Sequence, residues 1–457
     1  MSGLAFVRRR LPAGKDEGGS MNWEKFFHRF LARRGSPIAR VGIEPGLYHY
    51  QRQADGVTAR FHLRVDASGN GVLLANAACA VRLHPSGVVI AKGLLEGQDE
   101  YTILEKLTKA FKGVTGQQVA ADMNHVQSLI TSLEKPHHDY PILNPADPSF
   151  SPHVTPLERP ISADVPLCKP FYMEPILSRL WDEGIPHVTI IAGKDPVEKD
   201  LIRAVEKAED MGLITGVRGR GSDLAHCARI PDMAQAGLDH LDVYCLSIDE
   251  QIHNGLVGKN DYKLAAKAMV MAQKREVCPV AVIALVKSTL TTIDDTLAVI
   301  ADHGVMNVCL FAIATTDPAE QSSGALLAGE LVQAAAMAEE TAERYRLRLL
   351  WYPPVRYNPE LPLGDQICRG PRTSGDSAIR VDPDGYVIPA RGPYHSPGNI
   401  VKESWDTIAK RAVYVDYRRR LEADTHCSTC PGLAICAADC PRHPQGWADA
   451  DIRKDEG

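Results

Sequence analysis

The chain has 457 residues, 44% hydrophobic and 24% charged, which is enough apolar material to bury two or three ordinary cores and too much for a disordered protein. Its formal charge of −6, with Lys and Arg scattered rather than gathered into a stripe, makes no field for a phosphate backbone, so no nucleic acid partner is expected. No apolar run approaches the roughly 20 residues that span a bilayer; with no transmembrane segment and no export signal behind Arg8, Arg9 and Arg10, a cytoplasmic location is expected.

Residues 1–37 read as a tail with one amphipathic helix over 22–34, where Trp23, Phe26, Phe27, Phe30 and Leu31 share a side that packs on protein in preference to a membrane surface. Residues 38–135 form a first domain. Alternating stretches at 47–51, 58–65 and 71–83, separated by turns at 54–56 and 66–71, predict a three-strand meander. Helical periods follow at 86–94, 100–111 and 118–133. Residues 136–160 contain seven prolines, which remove backbone donors and favour extended chain, so this segment is a linker.

Over residues 161–354 the pattern changes to short apolar strands alternating with amphipathic helices. Strands are expected at 187–192, 213–217, 241–248, 280–286 and 307–314, with a sixth at 347–352 and a first near 161–165. That number is too small for a closed eight-unit barrel and suits an open one, with its working face at the C-terminal ends of the strands. Residues 355–457 lose this periodicity to Gly, Pro, Asp and Cys, with one helix around 404–421, and read as a small domain organised by metal rather than by a core.

Four of the 11 cysteines fall within that last segment at Cys427, Cys430, Cys436 and Cys440, with the spacing C-x2-C-x5-C-x3-C. Short loops turn successive thiolates toward one centre, and both iron–sulfur clusters and zinc accept four of them. Structural zinc usually takes two separated pairs, so one continuous stretch favours an iron–sulfur cluster.

This spacing resembles the tail signature of the SPASM domain, which holds auxiliary [4Fe–4S] clusters in radical S-adenosylmethionine (SAM) enzymes that modify peptides. Cys368, the Asp384-Gly385 hairpin and the Gly398-Asn399-Ile400 turn follow the same pattern. Ala390 stands where the family has a second upstream cysteine, and no cysteine follows Cys440, so two full sites cannot be filled. The resemblance implies one [4Fe–4S] cluster on Cys427, Cys430, Cys436 and Cys440, with His443 or Asp439 as alternative fourth ligands and zinc as the alternative metal. Cys368, without its partners, reads as a buried thiol.

Residues 161–354 resemble the radical SAM core. The stretch 185–196 is similar to the family's second strand and the turn that approaches the methionyl amino group, which makes Gly193 and Asp195 candidate cofactor-binding residues; 241–258 is similar to the fourth strand and its loop. The family's C-x3-C-x2-C loop belongs within 164–174, where Cys168 stands alone. One thiolate cannot hold a cluster with an open iron, so no catalytic residue is assigned and SAM binding is doubtful. Cys227, Cys245, Cys278 and Cys309 read as small apolar groups on separate elements.

The stretches 71–77 and 84–97 resemble the pyrroloquinoline-quinone chaperone-like domain that recognises precursor peptides by adding them to a strand edge. A winged-helix fold used only for packing is the alternative. Ser222, Asp223 and His226 lie close in sequence without a nucleophile elbow, and Ser222 reads as a helix N-cap.

The expectation is an α/β protein with a partial (β/α)6-type radical SAM-like barrel, a small N-terminal winged-helix-like α+β domain and a C-terminal cysteine-rich SPASM-like domain. It would be a pseudo-radical-SAM/SPASM protein that recognises a precursor peptide and assists an active radical SAM maturase. An active iron–sulfur peptide-modifying enzyme and a zinc-stabilised binding protein are the alternatives.

Overall fold

The computed structural model describes residues 37–54, 57–75, 79–134, 157–224, 229–315, 317–327, 329–352, 354–372, 378–388 and 396–419. The first described unit is a four-stranded antiparallel meander, β1 (Gly46–Ala54), β2 (Val57–Val65), β3 (Gly71–Ala75) and β4 (Cys79–Leu83). The stretch expected as one strand over 71–83 is therefore two, because Ala75 pairs with Cys79 and the chain reverses between them. The alternating pattern runs on through the reversal, so periodicity alone could not reveal it.

Alternation on β2 sets the two faces of this sheet. Ala59, Phe61, Leu63 and Val65 are buried in one apolar cluster with residues of the helices Pro85–Leu95, Glu100–Ala110 and Gly116–Glu134. Arg60, His62 and Arg64 occupy the opposite face. That face meets the rest of the protein through polar contacts: Arg60 pairs with Glu209 at 2.7 Å and with Asp239, His62 Nε2 lies 2.5 Å from the Gly212 carbonyl, and Arg64 donates to the Pro160 carbonyl at 2.8 Å.

A second, curled sheet follows. Its parallel strands are β5 (Ser162–Pro166), β6 (His187–Ile191), β7 (Ile214–Gly219), β8 (His240–Tyr244), β9 (Cys278–Leu285) and β10 (Asn307–Thr315), in that spatial order. Strand β10 also pairs in parallel with β11 (Leu326–Leu327), β12 (Arg348–Trp351) and β13 (Val355–Arg356). At the opposite edge β14 (Ala378–Val381) runs parallel to β5 and turns back into β15 (Val387–Ile388).

The sheet is curled. Neighbouring strands lie about 4.8 Å apart, so four spacings would hold β7 and β12 roughly 19 Å apart on a flat surface. Arg218 on β7 nevertheless donates to the hydroxyl of Tyr352, just past β12, at 2.9 Å. On β9, Ala281, Ile283 and Leu285 share a cluster with the surrounding helices, whereas Val280, Val282 and Ala284 join the cluster inside the curl. Gly212 and Asp239 precede β7 and β8, which places the N-terminal sheet at the base of this half-barrel, away from the C-terminal ends of the strands.

Apolar packing holds described residues beyond the barrel, the last of them Tyr414. Val381, Val387, Ile400, Trp405, Ile408 and Tyr414 belong to the same buried cluster as Met173 and Leu177 of the helix Pro170–Asp182. The single helix expected over 404–421 is divided into Trp405–Ile408 and Ala412–Arg419. Residues nine apart fall on opposite sides of a continuous helix, at about 100° per residue. The break lets Trp405 and Tyr414 face the same core, with ring centroids 5.2 Å apart.

Gly216 on β7 has no room for a side chain, since an added Cβ would collide with the His240 ring. Gly216→Ala should therefore overpack the barrel interior and cost about 1–3 kcal/mol, read as a lowered urea midpoint at unchanged slope.

Candidate functional site

The inward positions of β5 to β8 carry polar side chains where a barrel interior is usually apolar. Arg218 donates to Asp164 on β5 at 2.7 Å and to Asp242 on β8 at 3.1 and 3.2 Å. Asp242 also accepts from His240 Nδ1 at 2.7 Å, and His240 Nε2 lies 2.8 Å from His187 Nε2 on β6. Burial opposes the Arg218 cation, but Asp164, Tyr352 and Asp242 outweigh it and hold its pKa above the ordinary value. Burial, helped by His240, pushes His187 down to about 3, so this ring is neutral at pH 7.

The mouth of the half-barrel begins with a short connection. Strand β5 ends at Pro166 and the next helix starts at Pro170, so only Leu167, Cys168 and Lys169 join them. Phe171 and Tyr172 follow in the first helical turn, exposed and in edge-to-face contact at 5.3 Å. After β6, Gly193 and Asp195 both take left-handed backbone angles, φ +72° and +48°. Asp195 is a non-glycine residue there, a conformation that carries strain.

The strained turn is pinned from the neighbouring loops. The Asp195 backbone N–H donates to Asp223 Oδ1 at 3.3 Å, and Lys259 holds the Asp195 carboxylate at 2.9 Å. Lys259 also lies 3.6 Å from Asp223, which receives Arg220 Nε at 2.5 Å. The Asp195 carboxyl is 83% exposed and accessible from solvent. Gly193 and Asp195 thus share one turn at the rim, after β6.

Ser222 does not cap its helix. The helix Gly221–Leu224 starts one residue earlier, and Asp261, 39 residues further along the chain, accepts the backbone N–H groups of Gly221 and Ser222. The fully buried His253 fixes this carboxylate: its Nδ1 accepts the Leu246 N–H at 3.2 Å, so its Nε2 donates to Asp261 at 3.2 Å. Burial works against the Asp261 carboxylate, yet donors from His253 and Ser222 hold its pKa below the usual range. A cap from a distant residue has no local sequence signature, which is why Ser222 was the apparent candidate.

Cys168, Cys245, Cys278, Cys309 and Cys368 are free thiols that burial keeps protonated. Burial pushes Cys168 and Cys368 up to about 11 and Cys245 and Cys278 up to about 12, and it raises Cys309 as well. Among the described residues no three His, Cys, Asp or Glu side chains converge as a metal site. Cys427, Cys430, Cys436 and Cys440, their alternatives Asp439 and His443, and also Cys227 and Ala390 lie outside the described residues. No described helix is long and apolar enough to cross a membrane.

No family model matches the sequence. Among solved structures, Streptococcus suis SuiB bound to S-adenosylmethionine superposes with a TM-score of 0.52 at 11% identity, over 86% of this chain and 98% of SuiB. SuiB bound to precursor peptide SuiA gives 0.51 at 12% identity, over 84% and 96%. The protein anSMEcpe with bound AdoMet and Cp18Cys peptide gives 0.46 at 10% identity, over 64% and 92%. At these identities the SuiB match is a likeness of fold: a mixed α/β chain with a curled, open half-barrel sheet.

Sequence reading missed the interior network of Asp164, Arg218, His240 and Asp242. The signal was present: each is a charged or titratable residue inside a short apolar strand, and His240 and Asp242 are two apart, hence on one face. Arg218→Met should leave the buried Asp164 without its cation and Asp242 with His240 alone, and cost about 3–5 kcal/mol in urea unfolding. Combining it with Asp164→Asn and Asp242→Asn should recover part of that loss.

Proposed function

We propose that this chain is a pseudo-radical-SAM/SPASM protein that recognises a precursor peptide and assists an active radical SAM maturase. The observation that carries the reading is the three-residue connection Leu167-Cys168-Lys169, at the place where the resembled family carries a three-cysteine loop. A site-differentiated cluster needs three thiolates, and this connection offers one, itself a partly buried and protonated thiol.

Four further features support the reading. The likeness extends over nearly the whole of SuiB, which has been crystallised with S-adenosylmethionine and with the precursor peptide SuiA. Strands β1 and β4 each pair on one side only among the described residues, so either can accept an added peptide strand through its main-chain groups. The tail cysteines Cys427, Cys430, Cys436 and Cys440 have the number and spacing to hold one [4Fe–4S] cluster, which would supply redox or structural chemistry outside the barrel. Gly193 and Asp195 are the residues that would meet an amino group of SAM, and the exposed carboxylate of Asp195 suits that role.

Anaerobic reconstitution should load about four irons per chain, with loss of that iron in Cys430→Ala. Reduction in the presence of SAM should release no 5′-deoxyadenosine. Its formation would select the active peptide-modifying enzyme instead, and a colourless zinc protein would select the zinc-stabilised binding protein.

A further inference from the structure

The seam between the N-terminal sheet and the base of the half-barrel contains a stacked histidine pair, at the opposite end from the barrel mouth. His49 on β1 and His62 on β2 pair across the strands, and their rings stack with centroids 4.7 Å apart and 23° between planes. His62 is fully buried, and its Nε2 donates to the Gly212 carbonyl at 2.5 Å. That fixes the proton on Nε2. Its Nδ1, and Nε2 of His49, are buried without a hydrogen-bond partner among the described residues.

A second proton on His62 would have to enter at Nδ1, where no described group accepts it. We infer that this seam is an acid-released dock, with the His49–His62 stack as its trigger.

The charged surroundings favour release. From its own strand His62 is faced by Arg60 and Arg64, from β1 by His49, and from β6 by His187. Across the seam stand Glu209 of the helix Glu198–Asp210, Asp239 before β8, and His240 and Asp242 behind His187; both nearer carboxylates are engaged by Arg60. A protonated His62 would therefore sit beside a guanidinium whose counter-charges are already in use. Trp181 and Gly212 complete the seat of His49, since an added Cβ on Gly212 would touch both His49 and Trp181.

The sign follows from burial. Burial, with His49 and Arg60, lowers His62 to about 3 against the Gly212 bond, and burial and Arg60 lower His49 against the pull of Glu209, whereas an undocked imidazole titrates near 6.5. The docked state is favoured above pH 6.5 and progressively loses that advantage as pH falls from 6.5 toward 3. Between pH 7.5 and 5.5 His62 alone weakens docking about tenfold. Carboxylates ordinarily titrate near 4, so this window isolates the imidazoles.

Hydroxyl-radical footprinting of the full chain, corrected for intrinsic reactivity, tests the inference. The side chains of His49, His62 and Trp181 in the seam should together lose about tenfold in protection between pH 7.5 and 5.5, while the buried Phe311 of the barrel interior keeps its own. His62→Gln, which retains a donor for the Gly212 carbonyl and cannot titrate, should abolish most of that difference. Seam protection that is flat with pH, or an equal loss in His62→Gln, would overturn it. Should His62→Gln not fold, His49→Gln must flatten part of the wild-type dependence, and an unchanged slope in that variant overturns the inference equally.

Discussion

The half-barrel depends on one buried cation. Arg218 cannot leave its charge unmet in the interior, and it meets it with side chains from β5, β8 and the residue after β12. Asp242 lies on the neighbouring strand and Asp164 two strands away, but Tyr352 reaches Arg218 from across the curl, so completing the guanidinium's contacts requires the sheet to curl. The apolar interior cluster of β8 to β10 can close only once that curl exists. A buried network of this kind gives little net stability over a well-packed apolar core, but it discriminates strongly against arrangements that leave a member unpaired.

Much of the fold was legible because the repeat of short apolar strands and amphipathic helices is dictated by burial on both faces of a parallel sheet. Each expected barrel strand overlaps an observed one, including the weakly marked first strand, Ser162–Pro166, and the sixth parallel partner, Arg348–Trp351. What escaped were features set by distant residues. The pairing of β14 with β5, the cap that Asp261 supplies to Gly221 and Ser222, and the meeting of Arg218 with Tyr352 join positions 39 to more than 200 residues apart. No local pattern encodes such partners.

The candidate rim residues were legible only through resemblance. Nothing in the composition around Gly193 and Asp195 distinguishes them from an ordinary turn, and it is the positive φ of Asp195, its bond to Asp223 and its pairing with Lys259 that mark the turn as held in place. The interior titratable groups were the reverse case, being visible in the sequence yet unremarked, because isolated charged residues in strands are usually taken for exposed positions. The two ends of the barrel also differ in chemistry. The base is sealed by ion pairs and imidazoles to the N-terminal sheet, while the mouth presents an exposed aromatic pair and a strained acidic turn.

The brevity of Leu167-Cys168-Lys169 has a practical corollary for engineering. Loop closure entropy grows slowly, about 0.6 kcal/mol for each doubling of length, so a graft spliced between β5 and its helix would burden the scaffold little. Pro170 already fixes the first helical turn independently of what precedes it. The barrel is therefore a chassis into which a ligand-bearing insertion can be built, with the chemistry of the insert, rather than the tolerance of the host, as the limiting factor.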